Sequence, residues 1–189
     1  MSVVALHSVR DFDEYRAEFE KQIATRRAAG AIAFLLSQVD GDPKRVVVHF
    51  GAESAEKVTE FLRGPTMDKI LDAQPALDSS RIWIAENVLF ELPSAPLSSS
   101  ESLYLKVPVK DIAKLRAGLA AGMPGFRERG LGLMALMRSH QDPNLAILHL
   151  TAPDRARLEE IYSSPVLQGA LRDAQAATDR QAIYARDVR

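Results

Sequence analysis

Two of the four histidines in this sequence of 189 residues, His49 and His149, stand one hundred positions apart. Imidazole gains and loses a proton near neutral pH, so histidine commonly serves as an acid, a base or a metal ligand. Each of the two lies in a short run of apolar and β-branched residues, which predicts a buried strand. We therefore identify His49 and His149 as candidate catalytic bases. The alternative is that each imidazole hydrogen-bonds a neighbouring element and only fills space in the core.

Five other side chains are candidates for lining a ligand pocket beside these histidines. Pockets for small molecules are mostly apolar and contain a few polar groups that fix the ligand's orientation. The ligand-binding candidates lie in predicted strands: His7, Trp83, Tyr104, Arg138 and Tyr184. For the aromatic residues, packing in an ordinary core is the alternative. The Arg138 guanidinium either pairs with a buried carboxylate or reaches water where its strand ends.

The sequence excludes several kinds of site. It contains no cysteine, which excludes disulfides, thiolate nucleophiles, iron–sulfur clusters and cysteine zinc sites. A metal site needs three or four converging ligands, and only His7 is an evident third candidate beside His49 and His149. We therefore predict no metal site. Phosphate-binding glycine loops, nucleophile elbows, His-Glu-x-x-His pairs and dinucleotide fingerprints are also missing.

Charge and hydropathy restrict the partners. The formal net charge is −1 with both signs interspersed, so neither nucleic acid nor an anionic membrane is a predicted partner. No stretch approaches the about 18 apolar residues of a membrane span. The first seven residues lack the pattern of a signal peptide. We therefore expect a soluble, cytoplasmic protein.

The spacing of one hundred residues extends far beyond the histidines. Turn and cap residues recur in the same register: Asp11 with Asp111, Gly30 with Gly130, Asp42-Pro43 with Asp142-Pro143, and Pro65 with Pro165. Such periodicity predicts a tandem duplication. We place the first repeat at residues 1–92, a Pro- and Ser-rich linker at 93–102 and the second repeat at 103–189.

Each repeat has the pattern βαββαβ. In the first, Asp11 is typical of a helix N-cap and Gly30 of the residue that follows a last turn, which predicts one helix between them. Gly64-Pro65 interrupts the second helix. In the second repeat, Gly118, Gly122 and Pro124 weaken the first helix, so we expect it to bend or end early.

This element order predicts an α+β fold in which each repeat is ferredoxin-like: an antiparallel sheet of four strands with two helices on one face. The runs Val46–Val48 and Ala146–Leu148 are apolar on both alternating sets of side chains. A sheet with one face in water would alternate apolar and polar residues. We therefore expect the two repeats to pack sheet to sheet.

The chain resembles the dimeric α+β barrel superfamily in its hairpin Gly41–Phe50 and in its broken helices at Phe61–Met67 and Tyr162–Leu167. The resemblance covers almost the whole chain. It implies that the tandem repeats form within one chain the barrel that usually needs a homodimer. The superfamily includes antibiotic-biosynthesis monooxygenases without cofactors, haem-degrading and haem-binding enzymes, isomerases and stress-responsive proteins.

The predicted function is therefore the binding of a small hydrophobic or aromatic metabolite between the two sheets. The alternative is a cofactor-independent monooxygenase or isomerase in which His49 or His149 is the base and Trp83 and Tyr184 form walls. No cofactor is predicted. A haem enzyme of this superfamily would need a proximal histidine, and nothing in the sequence separates that role from a structural role for His149.

The sequence does not decide whether the protein is an enzyme, or whether it is a monomer or a further homodimer. It does indicate where a site would lie. The repeats differ around the shared histidines, with Gln38 against Arg138, His7 against Val107 and Trp83 against Ile183. A working site is therefore expected to be asymmetric.

Overall fold

Helix caps define where most helices of the chain begin. The Asp11 carboxylate accepts a hydrogen bond from the Glu14 backbone N–H at 2.8 Å, and Asp111 accepts one from Lys114 at 2.9 Å. Ser54 and Asp154 cap the next helix of each half in the same way. These contacts satisfy backbone donors that have no partner within the helix.

A computed structural model describes residues 1–72, 77–92 and 100–188. The described strands are β1 (Ser2–Val9), β2 (Ala31–Val39), β3 (Arg45–Ala52), β4 (Leu77–Glu91), β5 (Glu101–Pro108), β6 (Met134–Ser139), β7 (Leu145–Ala152) and β8 (Gln181–Val188). The described helices are α1 (Phe12–Lys21), α2 (Ile23–Ala28), α3 (Ala55–Arg63), α4 (Pro65–Asp72), α5 (Ile112–Glu128), α6 (Arg155–Ser163) and α7 (Pro165–Asp173). None of these helices has the length and hydropathy that crossing a bilayer requires.

The chain divides into two units. Unit 1 comprises Met1–Ala85 with Val188, and unit 2 comprises Glu86–Asp187. Of the predicted linker 93–102, residues 93–99 lie outside the described part, and Glu101 and Ser102 belong to β5. The predicted boundaries at 92 and 103 remain predictions.

Both units have the predicted ferredoxin-like topology. The antiparallel strand order is β4-β1-β3-β2 in unit 1 and β8-β5-β7-β6 in unit 2. The α+β fold class is confirmed, whereas the duplication remains an inference from the sequence.

Each unit has its own hydrophobic core between helices and sheet. In unit 1 it contains Val46, Val48 and Phe50 of β3 with Tyr15 and Phe19 of α1. In unit 2 the matching strand β7 contributes Ala146, Leu148 and Leu150. Strand side chains alternate between faces, so the residues between them, including both candidate histidines, lie on the face opposite the helices.

The expectation that α5 ends early was wrong, since the helix is continuous through Pro124. Two of its three glycines, Gly118 and Gly122, are contact positions with α7. A Cβ atom at Gly118 would lie 2.6 Å from the Ala170 Cβ, and one at Gly122 would lie 2.5 Å from a Val166 methyl. The packing of this helix outweighs the hydrogen bond that Pro124 cannot make. In unit 1 the corresponding helix is instead divided at Gln22.

We predict that Gly118→Ala lowers the free energy of unfolding by about 1–3 kcal/mol, because the added methyl overpacks the contact with α7. Urea denaturation followed by circular dichroism measures this change. Gly125→Ala is the matched control in the same helix, since its new methyl would meet only the end of the Arg129 side chain at 3.1 Å. We expect that variant to gain up to about 1 kcal/mol from helix propensity. Equal effects at both positions would contradict the packing explanation.

Candidate functional site

The strand register places His49 and His149 at equivalent points of the two sheets. His49 pairs with Val4 on β1, and Val4 pairs with Trp83 on β4. In unit 2, His149 pairs with Tyr104 on β5, which in turn pairs with Ile183 on β8. The two units therefore share the histidine but differ in the position of the aromatic residue. In unit 1 it is Trp83 on β4, two strands from His49, and in unit 2 it is Tyr104 on β5, directly beside His149.

In unit 2 the imidazole is stacked on an aromatic ring. The His149 and Tyr104 ring centroids are 4.1 Å apart and the ring planes differ by 7°. His149 is 0% exposed and Tyr104 is 3% exposed. Stacking fixes the plane of the imidazole, and burial removes it from bulk water.

A chain of hydrogen bonds joins this imidazole to a carboxylate. The His149 Nε2 atom lies 3.1 Å from the Ser102 Oγ, and the Ser102 hydroxyl donates to the Asp187 Oδ1 at 2.7 Å. The hydroxyl of Ser100 donates to the other carboxylate oxygen of Asp187. A backbone hydrogen bond also joins these two residues, because the Asp187 N–H donates to the Ser100 carbonyl at 3.1 Å.

This chain determines the position of the histidine proton. An ionised carboxylate only accepts hydrogen bonds, and a serine hydroxyl has one hydrogen to donate. Because that hydrogen goes to Asp187, the Ser102 oxygen accepts from His149, and Nε2 is the protonated nitrogen. In the neutral ring Nδ1 is then the acceptor. The order carboxylate–hydroxyl–imidazole differs from a catalytic triad, in which the imidazole lies between the other two groups.

His49 is held in a more apolar setting. It is 8% exposed, and burial lowers its pKa from 6.5 to about 4. Its neighbour on β1 is Val4, in place of the tyrosine of unit 2, and Leu35 on β2 is its other paired residue. His49 is therefore neutral in the fold at physiological pH.

Two predicted site residues, His7 and Tyr184, lie on the helix-covered face of their sheets, opposite the face that carries His49 and His149. His7 pairs with Val46, a core residue of unit 1, and its ring lies 5.7 Å from that of Tyr15 on α1. Tyr184 packs against the core of unit 2, with the Arg155 guanidinium 3.2 Å above its ring. The one-residue alternation of a strand separates each of them from the histidine of its unit.

Arg138 is placed at the surface. Its guanidinium forms an ion pair with the Glu86 carboxylate, and both side chains are largely exposed. The second of the two predicted alternatives therefore applies to Arg138, whose charge reaches water. Among the predicted site residues, Tyr104 is stacked on His149 in unit 2. In unit 1, Trp83 lies on the same face of the sheet as His49, with Val4 of β1 between them.

Sequence reasoning missed Ser100, Ser102 and Asp187. One signal was present in the alignment of the two halves, which are offset by one hundred residues. In that alignment Ser102 matches Ser2, whereas Asp187 stands where the first half has Asn87. A carboxylate within a predicted strand is costly to bury without partners. That cost indicates a partner but does not name it.

The residues around His149 do not fit a haem ligand. The Nε2 atom is engaged by Ser102, and Tyr104 covers one face of the ring. Iron ligation through Nε2 would break the chain to Asp187. Among the described residues, no group of three or more His, Asp or Glu side chains is arranged to hold a metal ion.

No family model and no curated protein sequence matches the chain. Solved structures do match over its whole length. A provisionally assigned monooxygenase from Fusobacterium nucleatum has a TM-score of 0.71 and 10% identity over 100% of this chain and 92% of its own. An anthrone oxidase-like protein has a TM-score of 0.70 and 12% identity over 100% and 91%. The chain shares their fold.

A third match makes the topology explicit. It is a ferredoxin-fold protein of Listeria monocytogenes, related to antibiotic biosynthesis monooxygenases, with a TM-score of 0.60 and 8% identity over 100% of this chain and 95% of its own. At these identities the likeness establishes the fold. The resemblance to dimeric α+β barrel proteins is thus confirmed at that level.

We predict that His49 makes stability fall with acid. Its pKa is about 4 in the fold and 6.5 in the unfolded chain, so the unfolded chain takes up a proton first as the pH drops below 6.5. Between pH 7 and 4.5 the wild type should lose about 2 kcal/mol more unfolding free energy than His49→Gln. Urea denaturation at both pH values measures the difference. His140→Gln, at an exposed loop residue, is the matched control; equal pH slopes for wild type and His49→Gln would contradict the assignment.

Proposed function

We propose that the protein binds a small aromatic or hydrophobic metabolite on the sheet face of unit 2 that carries His149. The observation that carries the proposal is the hydrogen-bonded chain from Asp187 through Ser102 to His149, held against the ring of Tyr104. A buried polar network of this kind is costly unless each member is satisfied. It orients one imidazole on a face that also carries the apolar side chains of Ala135, Met137 and Ile147.

The neighbouring side chains suit an apolar, planar ligand. Ala135 pairs with His149, and Met137 pairs with Ile147, which lies on the same face two residues before the histidine. An apolar surface with one oriented polar group is the usual composition of a small-molecule site. Aromatic ligands also gain from stacking beside Tyr104.

Ligand entry requires this face to open. His149, Met137 and Ala135 are fully buried. A ligand therefore exchanges protein contacts for its own contacts, and binding should be slower than diffusion allows. This expectation distinguishes a ligand on the His149 face from one adsorbed on the surface.

The second candidate is cofactor-independent oxygenation at the same site. Its support is the fixed proton on Nε2, which leaves Nδ1 as the atom that would take a proton from a substrate. A delocalised carbanion formed in this way can react with O₂ directly. The fold shared with an anthrone oxidase-like protein suggests anthrone as a probe. The balanced reaction is anthrone plus O₂ giving anthraquinone plus water.

We predict that anthrone, mixed with the protein without oxygen, binds with a saturable change in its absorbance. Ser102→Ala should weaken binding about tenfold, because the imidazole loses the group that fixes its orientation. The matched control is Ser100→Ala, which removes the other hydroxyl on Asp187 but touches no histidine. Equal affinities for the two variants, or no saturable binding by the wild type, would exclude anthrone as a ligand of this site.

Admitting oxygen tests the second candidate separately. An oxygenase should form anthraquinone faster than buffer does, and His149→Gln should reduce that rate to the buffer level. His49→Gln, the matched change in unit 1, should retain it. Saturable binding without anthraquinone would leave binding as the function and reject oxygenation of this probe.

We also predict that ¹⁵N NMR finds the His149 proton on Nε2 in the wild type. Ser102→Ala should redistribute the tautomers and lower the unfolding free energy by about 1–3 kcal/mol, because it leaves a buried N–H without an acceptor. Ser100→Ala should leave the tautomer unchanged. A proton on Nδ1 in the wild type would contradict the hydrogen-bond direction assigned above.

A further inference from the structure

The helix-covered face of unit 1 contains a buried positive charge. Arg26 on α2 is 6% exposed, and its guanidinium carbon lies 4.4 Å from the Phe19 ring centroid. One terminal nitrogen donates to the Gln22 side-chain oxygen at 2.9 Å, and the Gln22 amide in turn donates to the Ile70 carbonyl at 3.3 Å. These neutral partners orient the guanidinium without balancing its charge.

Among the described residues Arg26 forms no ion pair with a carboxylate, and the titratable group that acts on its pKa is the neutral Tyr15 phenol. Residues 73–76 and 93–99 contain neither Asp nor Glu. A buried guanidinium without a counter-charge is strongly destabilising. The charge therefore calls for an anion from outside the described chain.

Two buried polar atoms beside this charge also lack partners. The Arg26 Nε–H and the His7 Nδ1 form no hydrogen bond in the described structure. His7 is 6% exposed, and its ring is tilted by 46° against that of Tyr15. Burial lowers the pKa of His7, and the positive charge of Arg26 lowers it further. Unsatisfied buried atoms are rare in folded proteins and point to a missing ligand or water.

Unit 2 shows that the fold does not need this polar cluster. The positions equivalent to His7, Tyr15 and Arg26 are occupied by Val107, Leu115 and Phe126, all in the core of unit 2. The same backbone plan therefore packs well with apolar residues here. The buried charge in unit 1 therefore lowers the stability of the fold unless a counter-charge binds to it.

We propose that unit 1 binds the carboxylate of a small apolar or aromatic acid at Arg26, with His7 beside it. A carboxylate matches the planar donor edge of a guanidinium better than a single-point ion does. The Nε–H that lacks a partner belongs to that edge. The carboxylate would supply the missing counter-charge and an acceptor for Nε–H.

The surroundings favour an aromatic acid over phosphate. A series of aromatic rings extends from the Phe19 ring beside Arg26. The distances between successive ring centroids are 6.0 Å from Phe19 to Phe34, 5.8 Å from Phe34 to Phe50 and 6.3 Å from Phe50 to Phe61. Phe50 and Phe61 also line a shallow, solvent-open depression at the surface. An apolar body gains from such contacts, whereas a phosphate dianion would lose more hydration.

The test is the thermal stability of the full chain in sodium benzoate, sodium phosphate and sodium chloride at equal ionic strength and pH 7. Benzoate should raise the Tm of the wild type in a saturable way relative to chloride. Arg26→Met should abolish this rise or weaken the affinity at least about tenfold. Arg27→Met, at the exposed neighbouring arginine, should retain it.

A direct measurement covers the case in which Arg26→Met folds poorly. Benzoate titrated into ¹⁵N-labelled wild type should shift the Nε–H signal of the buried arginine, and His7→Val should weaken that titration. A Tm and an Nε–H signal that are the same in benzoate and chloride would overturn the proposal and leave an internal water as the partner. A response to phosphate but not to benzoate, or an unchanged response in Arg26→Met, would also overturn it.

Discussion

The alternation of side chains along each strand determines which residues of this chain can act together. Every second residue of a strand faces the helices and the others face away, so a shift of one position transfers a side chain to a different environment. His49 lies between two core residues of β3 and therefore faces away from the helices. His7 has the opposite parity and lies beside Tyr15 of α1 instead. The two proposed sites follow from this separation.

The units use the same backbone plan but place their polar groups on different faces. In unit 1 the helix-covered core holds Arg26, Gln22 and His7. In unit 2 that core is apolar, and the network of Ser102, His149 and Asp187 lies on the other face. Buried polar residues need their partners in the same compartment. The hydrogen bonds described for each network join residues of one unit.

Local signals in the sequence predicted the element order and the matched positions of the histidines. Caps at Asp11 and Asp111 act through contacts within one helical turn, and these can be recognised from neighbouring residues. The continuity of α5 through Pro124 could not be predicted in this way, because it depends on packing against α7. The serine–aspartate network was missed for the same reason, since Ser102 and Asp187 are distant in sequence and meet only through strand pairing.

The position of Ser102 gives the network of unit 2 a direction. The Ser102 hydroxyl has one hydrogen, and it donates that hydrogen to the Asp187 carboxylate. The Ser102 oxygen therefore accepts a hydrogen bond from the imidazole of His149. Asp187, Ser102 and His149 lie on the adjacent strands β8, β5 and β7. A carboxylate on an outer strand of this unit thus sets, through one serine hydroxyl, which imidazole nitrogen carries the proton two strands away.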